Sequence, residues 1–177
     1  YLYVSSADKA SNTTTASGAA STTTDDVAAS STSQTTDQTK SLLGFLIEEE
    51  KLAHDIYTKM YEKWGARVFG NILQSESNHQ SEVLTLLNAR EVADPRKSDV
   101  GQFANSDLQA LYDQLLAKGL ASEQGAYEVG VAIEEKDIAD IADILSKVDE
   151  TETDVISTLE SLRRGSENHL RAFNKQL

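Results

Sequence analysis

Apolar residues recur at helical spacing along most of the chain after residue 40. They stand three or four positions apart, so each set lies on one side of a helix. No strand-type alternation runs long enough to compete, and the only proline is Pro95. The pattern predicts an all-α domain over residues 41–177. Its long helices are expected at about Thr39–Lys63, Arg67–Ala89, Ser122–Val148 and Glu152–Lys175.

The lengths of the connections predict how these helices are arranged. Only two or three residues around Gly65 separate the first two helices, which forces them antiparallel. Residues 90–121 are more polar and contain breakers at Pro95 and Gly101, with a short amphipathic piece at Ser106–Lys118. We interpret this segment as a crossover and not as a core helix. A crossover of this length lets the second and third long helices of a four-helix bundle run parallel.

Each long helix carries a metal-capable side chain on its apolar side. Glu76 and His79 are three residues apart on the second helix, so both point the same way, together with Ile72 and Val83. A buried carboxylate needs a compensating charge, which directs attention to the other helices. The inward candidates are Glu50 on the first helix, Glu76 and His79 on the second, Glu134 and Asp137 on the third, and His169 on the fourth.

Two further side chains lie near these candidates, and each has two interpretations. Counted back from the turn at Gly65, Glu50 and Glu76 lie at similar heights, at a rise of about 1.5 Å per residue. His54, one turn after Glu50, is either an additional or supporting ligand or a surface or stacking residue. Tyr57 is either a supporting group beside the site or an ordinary core residue.

The inward acids also have a purely structural interpretation. A single Glu-x-x-His pattern is a weak signal, and buried Glu–His hydrogen bonds can serve as polar links within a core. Four or more acids against two imidazoles, however, leave an excess of negative charge whose mutual repulsion is unfavourable in a buried site. A bound cation removes this excess. The pattern therefore favours a metal centre.

Charge and composition narrow the choice of partner. Sixteen basic against 29 acidic residues give a net charge of −13, which argues against nucleic acid or an anionic membrane and favours cations. The chain has no cysteine, which excludes zinc ribbons, thiolate iron–sulfur sites, disulfides and thiol catalysis. Oxygen and nitrogen ligands suit iron or manganese. No run approaches the roughly 20 apolar residues of a membrane span.

Residues 1–40 differ from the rest of the chain, because nearly half of them are Ser or Thr. Such a segment cannot bury a core and indicates either an O-glycosylated stalk at a cell surface or an unmodified tail. Asn12 is a candidate N-glycosylation site. The apolar stretch Tyr1–Val4 could dock on another copy, giving a homo-oligomer through residues 1–40. Since the chain begins with Tyr, we interpret it as a processed protein that is secreted or displayed at the cell surface.

Four stretches of the chain resemble the ferritin-like superfamily, in particular a small uncharacterised prokaryotic branch related to rubrerythrins and erythrins. They are Glu48–Ala53, Glu76–His79, Glu134–Ile138 and Gly165–Phe173. In that superfamily two helices give one Glu each and two give a Glu-x-x-His, and together they hold two iron or manganese ions inside a four-helix bundle. The resemblance implies a ferritin-like bundle with a long crossover between its second and third helices, and a di-iron or manganese site.

The fourth helix lacks the Glu-x-x-His pattern that the superfamily has there. The position three before His169 is Ser166, and Glu167, two before, points to another side of the helix. Asp137 is a candidate replacement, because rubrerythrins also carry a second acid one turn along the third helix. Tyr57, seven residues after Glu50, is similar to the first-helix Glu and nearby Tyr of ferritins and rubrerythrins.

The resemblance implies a di-metal oxidoreductase of the ferroxidase or peroxidase type, or a metal-oxidising protein at the cell surface. Rubrerythrins receive electrons from a cysteine-ligated iron centre, so this cysteine-free chain would need an external electron donor. The alternative belongs to another class: a structural subunit of a filament-like surface assembly, with metal absent or only stabilising. Metal analysis of the purified protein distinguishes the two.

Overall fold

The structure is a computed structural model that describes the backbone of residues 24–177 and the side chains of residues 37–177. Its helices are α1 Thr24–Trp64, α2 Arg67–Ala89, α3 Ser106–Ala121, α4 Glu123–Lys147 and α5 Thr153–Asn174. Residues 24–177 contain no strand, which confirms the all-α prediction for this part of the chain. Among the same residues, no helix combines the length and the apolar character needed to cross a bilayer.

The first helix is longer than the sequence pattern predicts. It begins at Thr24 and not near Thr39, so it crosses the proposed division at residue 40. Neither Gly nor Pro occurs between Thr24 and Leu43, and nothing in the local sequence therefore stops a helix that continues from the amphipathic part. Asn12 and Tyr1–Val4 lie outside the described residues, and their roles stay predictions.

Short, capped connections hold the helix ends in place. Gly65 follows α1 with a φ of 65°, a backbone conformation that suits a residue without Cβ, and its N–H donates to the Tyr61 carbonyl at 2.9 Å. Asn105 and Ser122 cap α3 and α4 by accepting hydrogen bonds from backbone N–H groups of the first turn. The turn at Gly65 therefore folds α2 back along α1.

The four long helices form a bundle in which α1 contacts α2 and α4, and α5 contacts α2 and α4. Phe69 of α2 and Val129 of α4 belong to one apolar cluster, and Leu86 and Ile144 from later in the same two helices belong to a second. The two helices therefore run in the same direction, as the long crossover predicts. Helices α1 and α5 pass through the two clusters in the opposite order.

The crossover contributes to the core, contrary to our interpretation of it from the sequence. Helix α3 packs on α1 and α4 and joins the first apolar cluster. Its buried hydrophobic side chains are Leu108, Tyr112 and Leu115. The polar residues that suggested a mere connection are concentrated before α3, at positions 90–105. Because α3 covers the outer side of α1, every residue from Leu46 to Ala53 is buried.

A layer of buried polar side chains separates the two apolar clusters. On each of the four long helices, these polar residues stand between the residues of one cluster and those of the other. The layer consists of Glu50, Glu76, His79, Glu134, Asp137, Ser166 and His169. Buried ionisable groups on four different helices thus meet at one height in the bundle.

Candidate metal centre

All six inward candidates from the sequence lie in the polar layer of the bundle. None of them is more than 9% exposed: Glu50, Glu76, His79, Glu134, Asp137 and His169. Helix α1 supplies one of them, α2 and α4 supply two each, and α5 supplies one. One buried site therefore receives four carboxyl groups and two imidazoles.

The ligand atoms form two groups that share Glu76. Glu50, Glu76 and His79 each place one oxygen or ring nitrogen within 4.8 Å of the others, and Glu76, Glu134 and His169 do the same. Oε1 of Glu76 is 2.8 Å from Nδ1 of His169, whereas Oε2 is 3.7 Å from Nδ1 of His79. The two oxygens of one carboxylate thus face two different imidazoles, so a cation bound beside either imidazole would have an oxygen of Glu76 within reach.

Both imidazoles turn the same ring nitrogen toward the acids. Nδ1 of His79 lies 3.1 Å from Oε2 of Glu50, and Nδ1 of His169 lies 3.5 Å from Oε1 of Glu134. The two ring centroids are 5.5 Å apart. Burial lowers the pKa of His79, and repulsion from His169 lowers it further. His79 is therefore favoured as the neutral imidazole, the form that ligates metals.

Several buried polar atoms of the layer have no hydrogen-bond partner. They are Oε1 of Glu50, Oε1 of Glu76, Oδ1 of Asp137 and Nδ1 of His169. The contact between Glu76 and His169 is short but lacks the alignment of a hydrogen bond. Each unsatisfied buried group costs about 1–3 kcal/mol. A cation would satisfy several of these atoms at once, so the residues present fit a metal site.

The acids of the layer are poorly accommodated as charges in the absence of a cation. Burial raises the pKa of Glu50, Glu76 and Asp137 well above the usual range of carboxyl groups. Repulsion between neighbouring carboxylates acts in the same direction, chiefly from Glu76 on Glu50 and from Glu134 on Glu76. A divalent cation would compete with protons for these oxygens, so cation binding should weaken as the pH falls.

Two hydroxyl groups fix the orientation of acids in the layer. The Tyr57 hydroxyl donates to Oε1 of Glu134 at 2.6 Å, and the Ser166 hydroxyl donates to Oδ2 of Asp137. Tyr57 is also a core residue, since its ring packs 5.2 Å from that of Phe173. Both interpretations of Tyr57 therefore agree with its position. Ser166, at the position of the expected Glu, holds an acid from α4 instead of supplying one itself.

The model of an uncharacterized protein domain, DUF2202, matches residues 39–177. The chain belongs to the DUF2202 family. Uncharacterized protein MJ0754 of Methanocaldococcus jannaschii is 41% identical to it over 143 residues, which cover 80% of this chain and 76% of the relative. The crystal structure of hypothetical protein MJ0754 superposes with a TM-score of 0.75 at 40% identity and covers 78% of each chain. The DUF2202 match includes all seven residues of the layer.

His54 of the DUF2202 domain lies apart from the other candidates. Its side chain is 31% exposed, and Nδ1 is 3.5 Å from Oδ1 of Asp55. It lines an outer groove together with Gln80 and Arg96. Of the two interpretations of His54, the surface position agrees with the structure, and His54 belongs to neither group of ligand atoms around Glu76.

Buried charges in α1 of the DUF2202 domain were missed by the sequence reasoning. Glu48 accepts hydrogen bonds at 2.6 and 3.1 Å from two backbone N–H groups just before α3. Lys51 donates to the Asp55 carboxylate and, at 3.0 Å, to the Asp99 carbonyl. The sequence does contain a signal for them, the four consecutive charged residues at 48–51. Four consecutive residues spread over more than one side of a helix, so with Ile47 buried they cannot all face solvent.

Gly165 of the DUF2202 domain leaves room for the His79 ring. A Cβ at position 165 would stand 2.5 Å from Nε2 of His79, so the ring would have to move away from the cluster. We expect Gly165→Ala to weaken cation binding about 10–100-fold, the usual effect of disturbing the groups that orient a metal-ligating histidine. Titration with Mn²⁺ measures this change.

Gly44→Ala is the matched control for this substitution. A Cβ at Gly44 meets no atom within 4 Å, and the glycine lies within α1. Gly44→Ala should keep the wild-type affinity and stabilise the fold by about 0.5–1 kcal/mol. Equal Mn²⁺ affinities for Gly165→Ala and the wild type would show that His79 is not a ligand.

Proposed function

We propose that this DUF2202 domain is a two-cation carboxylate protein of the ferritin-like type that binds iron or manganese. The observation that carries the proposal is the pair of ligand groups that share Glu76, with buried oxygen and nitrogen atoms that lack partners. Carboxylates with a few imidazoles, and no thiolate, suit these two metals. Helices α2 and α4 run parallel and are joined by a long crossover, which also supports a ferritin-like arrangement.

The geometry suggests a role for each residue. Glu50 and His79 would hold one cation, and Glu134 and His169 the other, with Glu76 between them. Asp137 lines the same cavity as Glu50 and Glu134 and is held by Ser166, so it is the candidate for an additional ligand. Its unsatisfied Oδ1 is the atom available for this role.

The surroundings of the centre favour an oxidase, peroxidase or ferroxidase. A pair of iron or manganese ions, when bound, can exchange electrons and polarise an O–O bond. The chain contributes apolar clusters on both sides of the layer, which exclude bulk water, and the Tyr57 hydroxyl, which holds Glu134. A cavity of about 80 Å³ adjoins Glu50 and Glu76, which is room for a small molecule such as oxygen or peroxide. Without cysteine, the protein would need an external electron donor.

Metal analysis of the full chain tests the proposal. Anaerobic titration with Fe²⁺ or Mn²⁺ should give two cations per chain, and Fe²⁺-loaded protein should consume oxygen. His169→Ala should lose one of the two cations, whereas His54→Ala should retain both because His54 lies outside the cluster. Failure to bind either metal would instead favour a metal-free structural subunit. The Ser- and Thr-rich residues 1–40 support an extracytoplasmic location for either function.

A further inference from the structure

Glu49 lies beside the candidate centre but belongs to neither group of ligand atoms. It is 7% exposed, and its Oε1 accepts from the Lys136 ammonium. Its other oxygen, Oε2, is buried and has no hydrogen-bond partner. A carboxylate oxygen in this situation is costly unless something else binds it at times. Pairing with Lys136 therefore does not account for the second, buried oxygen of Glu49.

The cavity beside the centre connects Glu49 with the ligands. Glu49 and Lys136 line it together with Glu50, Glu76, Glu134 and Asp137. The Lys136 side chain is 38% exposed, whereas Glu50 is almost fully buried. The cavity thus extends from the partly exposed Lys136, among residues of α1, α3 and α4, to the acids of the layer.

A second carboxylate lies beside Lys136, next to the residues that line the cavity. The Lys136 ammonium is bound by Asp140 as well as by Glu49, and it lies 5.4 Å from the Phe45 ring centroid. When both acids are ionised, two carboxylates against one ammonium leave a formal charge of −1 at this place. The ammonium occupies the position in which a divalent cation would contact both carboxylates, and Lys side chains are long and flexible enough to turn into solvent.

We propose that Glu49 and Asp140 form an entry site for a divalent cation, from which the cation passes along the cavity to the centre around Glu76. This inference rests on the proposed function, because it requires a centre that takes up cations. Lys136 offsets part of the negative charge of the entry site between loading events and competes with the incoming cation for the same oxygens. Two carboxylates and water molecules bind Mn²⁺ or Fe²⁺ weakly, so the cation can leave for the buried centre.

The charges of Glu49 and Lys136 predict that removing one or the other has opposite effects on the rate of cation uptake. Glu49→Gln removes an oxygen anion from the entry site and should slow the uptake of a cation. Lys136→Met removes the competing ammonium and should speed it. A purely structural pair behaves differently, because Lys136→Met would then leave the buried Glu49 carboxylate without its counter-charge and destabilise the fold, with no gain in the rate of uptake.

Stopped-flow measurement of Co²⁺ uptake by the full chain, followed by the visible absorption of bound Co²⁺, tests the inference. We expect Glu49→Gln to load about tenfold more slowly than the wild type, the lower end of electrostatic effects on association rates. The number of Co²⁺ bound at equilibrium should stay at two per chain. Lys136→Met should load faster. Glu135→Gln, which removes an exposed acid next to Lys136, is the matched control and should load at the wild-type rate.

The outcomes separate this inference from the proposed function. Equal loading rates for Glu49→Gln and Glu135→Gln, or slower loading by Lys136→Met, would overturn the entry site while leaving the centre intact. Loss of a bound Co²⁺ at equilibrium in Glu49→Gln would make Glu49 a ligand of the centre and also overturn it. No uptake by the wild type would overturn the proposed function and the entry site together. If Glu49→Gln does not fold, Asp140→Asn, at a half-buried position, carries the same expectation.

Discussion

Glu76→Gln should abolish the stabilisation of the protein by metal ions. Glu76 is the one residue shared by both groups of ligand atoms, so its loss removes an oxygen from both cations. Each cation at about 100 times its dissociation constant adds about 2.7 kcal/mol to the free energy of unfolding, so two cations add about 5.4 kcal/mol. For a domain of this size that is a rise in Tm of about 10–20 °C. Thermal melts with EDTA and with Mn²⁺ should show this rise for the wild type and none for Glu76→Gln.

The same substitution should stabilise the metal-free protein. Burial and the repulsion from Glu134 and Asp137 raise the pKa of Glu76 in the folded state. A carboxyl group with a raised folded pKa contributes stability below its unfolded pKa, and this contribution is lost as the pH rises through the folded pKa. At pH 7 in EDTA, Glu76→Gln should therefore melt above the wild type, because the amide keeps the shape without the charge.

Glu82→Gln is the control for both effects, since Glu82 is an exposed acid on the same helix. It should melt like the wild type in EDTA and gain the full metal-dependent rise. A lower Tm of metal-free Glu76→Gln, combined with an undiminished rise on adding Mn²⁺, would make Glu76 a structural hydrogen-bonding residue and would contradict the two-cation centre.

Asp55→Asn should destabilise the fold by about 3–5 kcal/mol, the usual cost of leaving one partner of a buried ion pair uncompensated. Asp55 pairs with Lys51, and both are buried under the connection to α3. Oδ2 of Asp55 also accepts the Gly101 N–H at 2.8 Å. The substitution leaves the Lys51 ammonium without its counter-charge and weakens the attachment of the crossover to α1. Chemical denaturation at pH 7 measures the loss.

Asp143→Asn breaks a matched pair on the surface. Asp143 and Lys147 are also four residues apart on a helix, but their side chains are 54% and 41% exposed. An exposed pair of this kind contributes about 0–1 kcal/mol. Similar losses for Asp55→Asn and Asp143→Asn would show that the buried pair does not hold the crossover in place.

The loss in Asp55→Asn should also depend on pH. Burial alone would raise the pKa of Asp55, but hydrogen bonds from His54, Lys51 and the Gly101 N–H outweigh it and lower the pKa. The stability that such a group gives is present above its unfolded pKa and is lost as the pH falls through its folded pKa. The difference between the wild type and Asp55→Asn should therefore shrink below about pH 4. A difference that is constant down to pH 2 would contradict this.

The residues of the polar layer could be found from the sequence because each one interrupts an apolar stripe. Glu76 and His79 stand on the same side of α2 as Ile72 and Val83, and the comparable separations of Glu50 and Glu76 from the turn at Gly65 predict similar heights for them. Helix spacing is a local property, so the side of the helix on which a side chain lies can be predicted without knowledge of the tertiary structure. The bounds of α2, α4 and α5 followed from the same spacing to within one residue.

Features that depend on distant parts of the chain could not be predicted in this way. The burial of Glu49, Lys51 and Asp55 arises because α3 and the connection before it cover the outer side of α1. The sequence near residue 50 does not show which segment will lie against it. The N-terminal extension of α1 from Thr24 was missed for another reason: Ser and Thr are weak helix formers, but tolerable ones when no Gly or Pro intervenes.

The polar layer also affects how the domain unfolds. Each apolar cluster spans all four long helices, but only the one near Gly65 is covered by α3, so the two ends differ in stability and need not open together. Between the two clusters, the buried residues that join the four long helices are those of the polar layer. An ion bound there would make the opening of one end depend on the other, so metal content would govern the cooperativity of unfolding as well as its free energy.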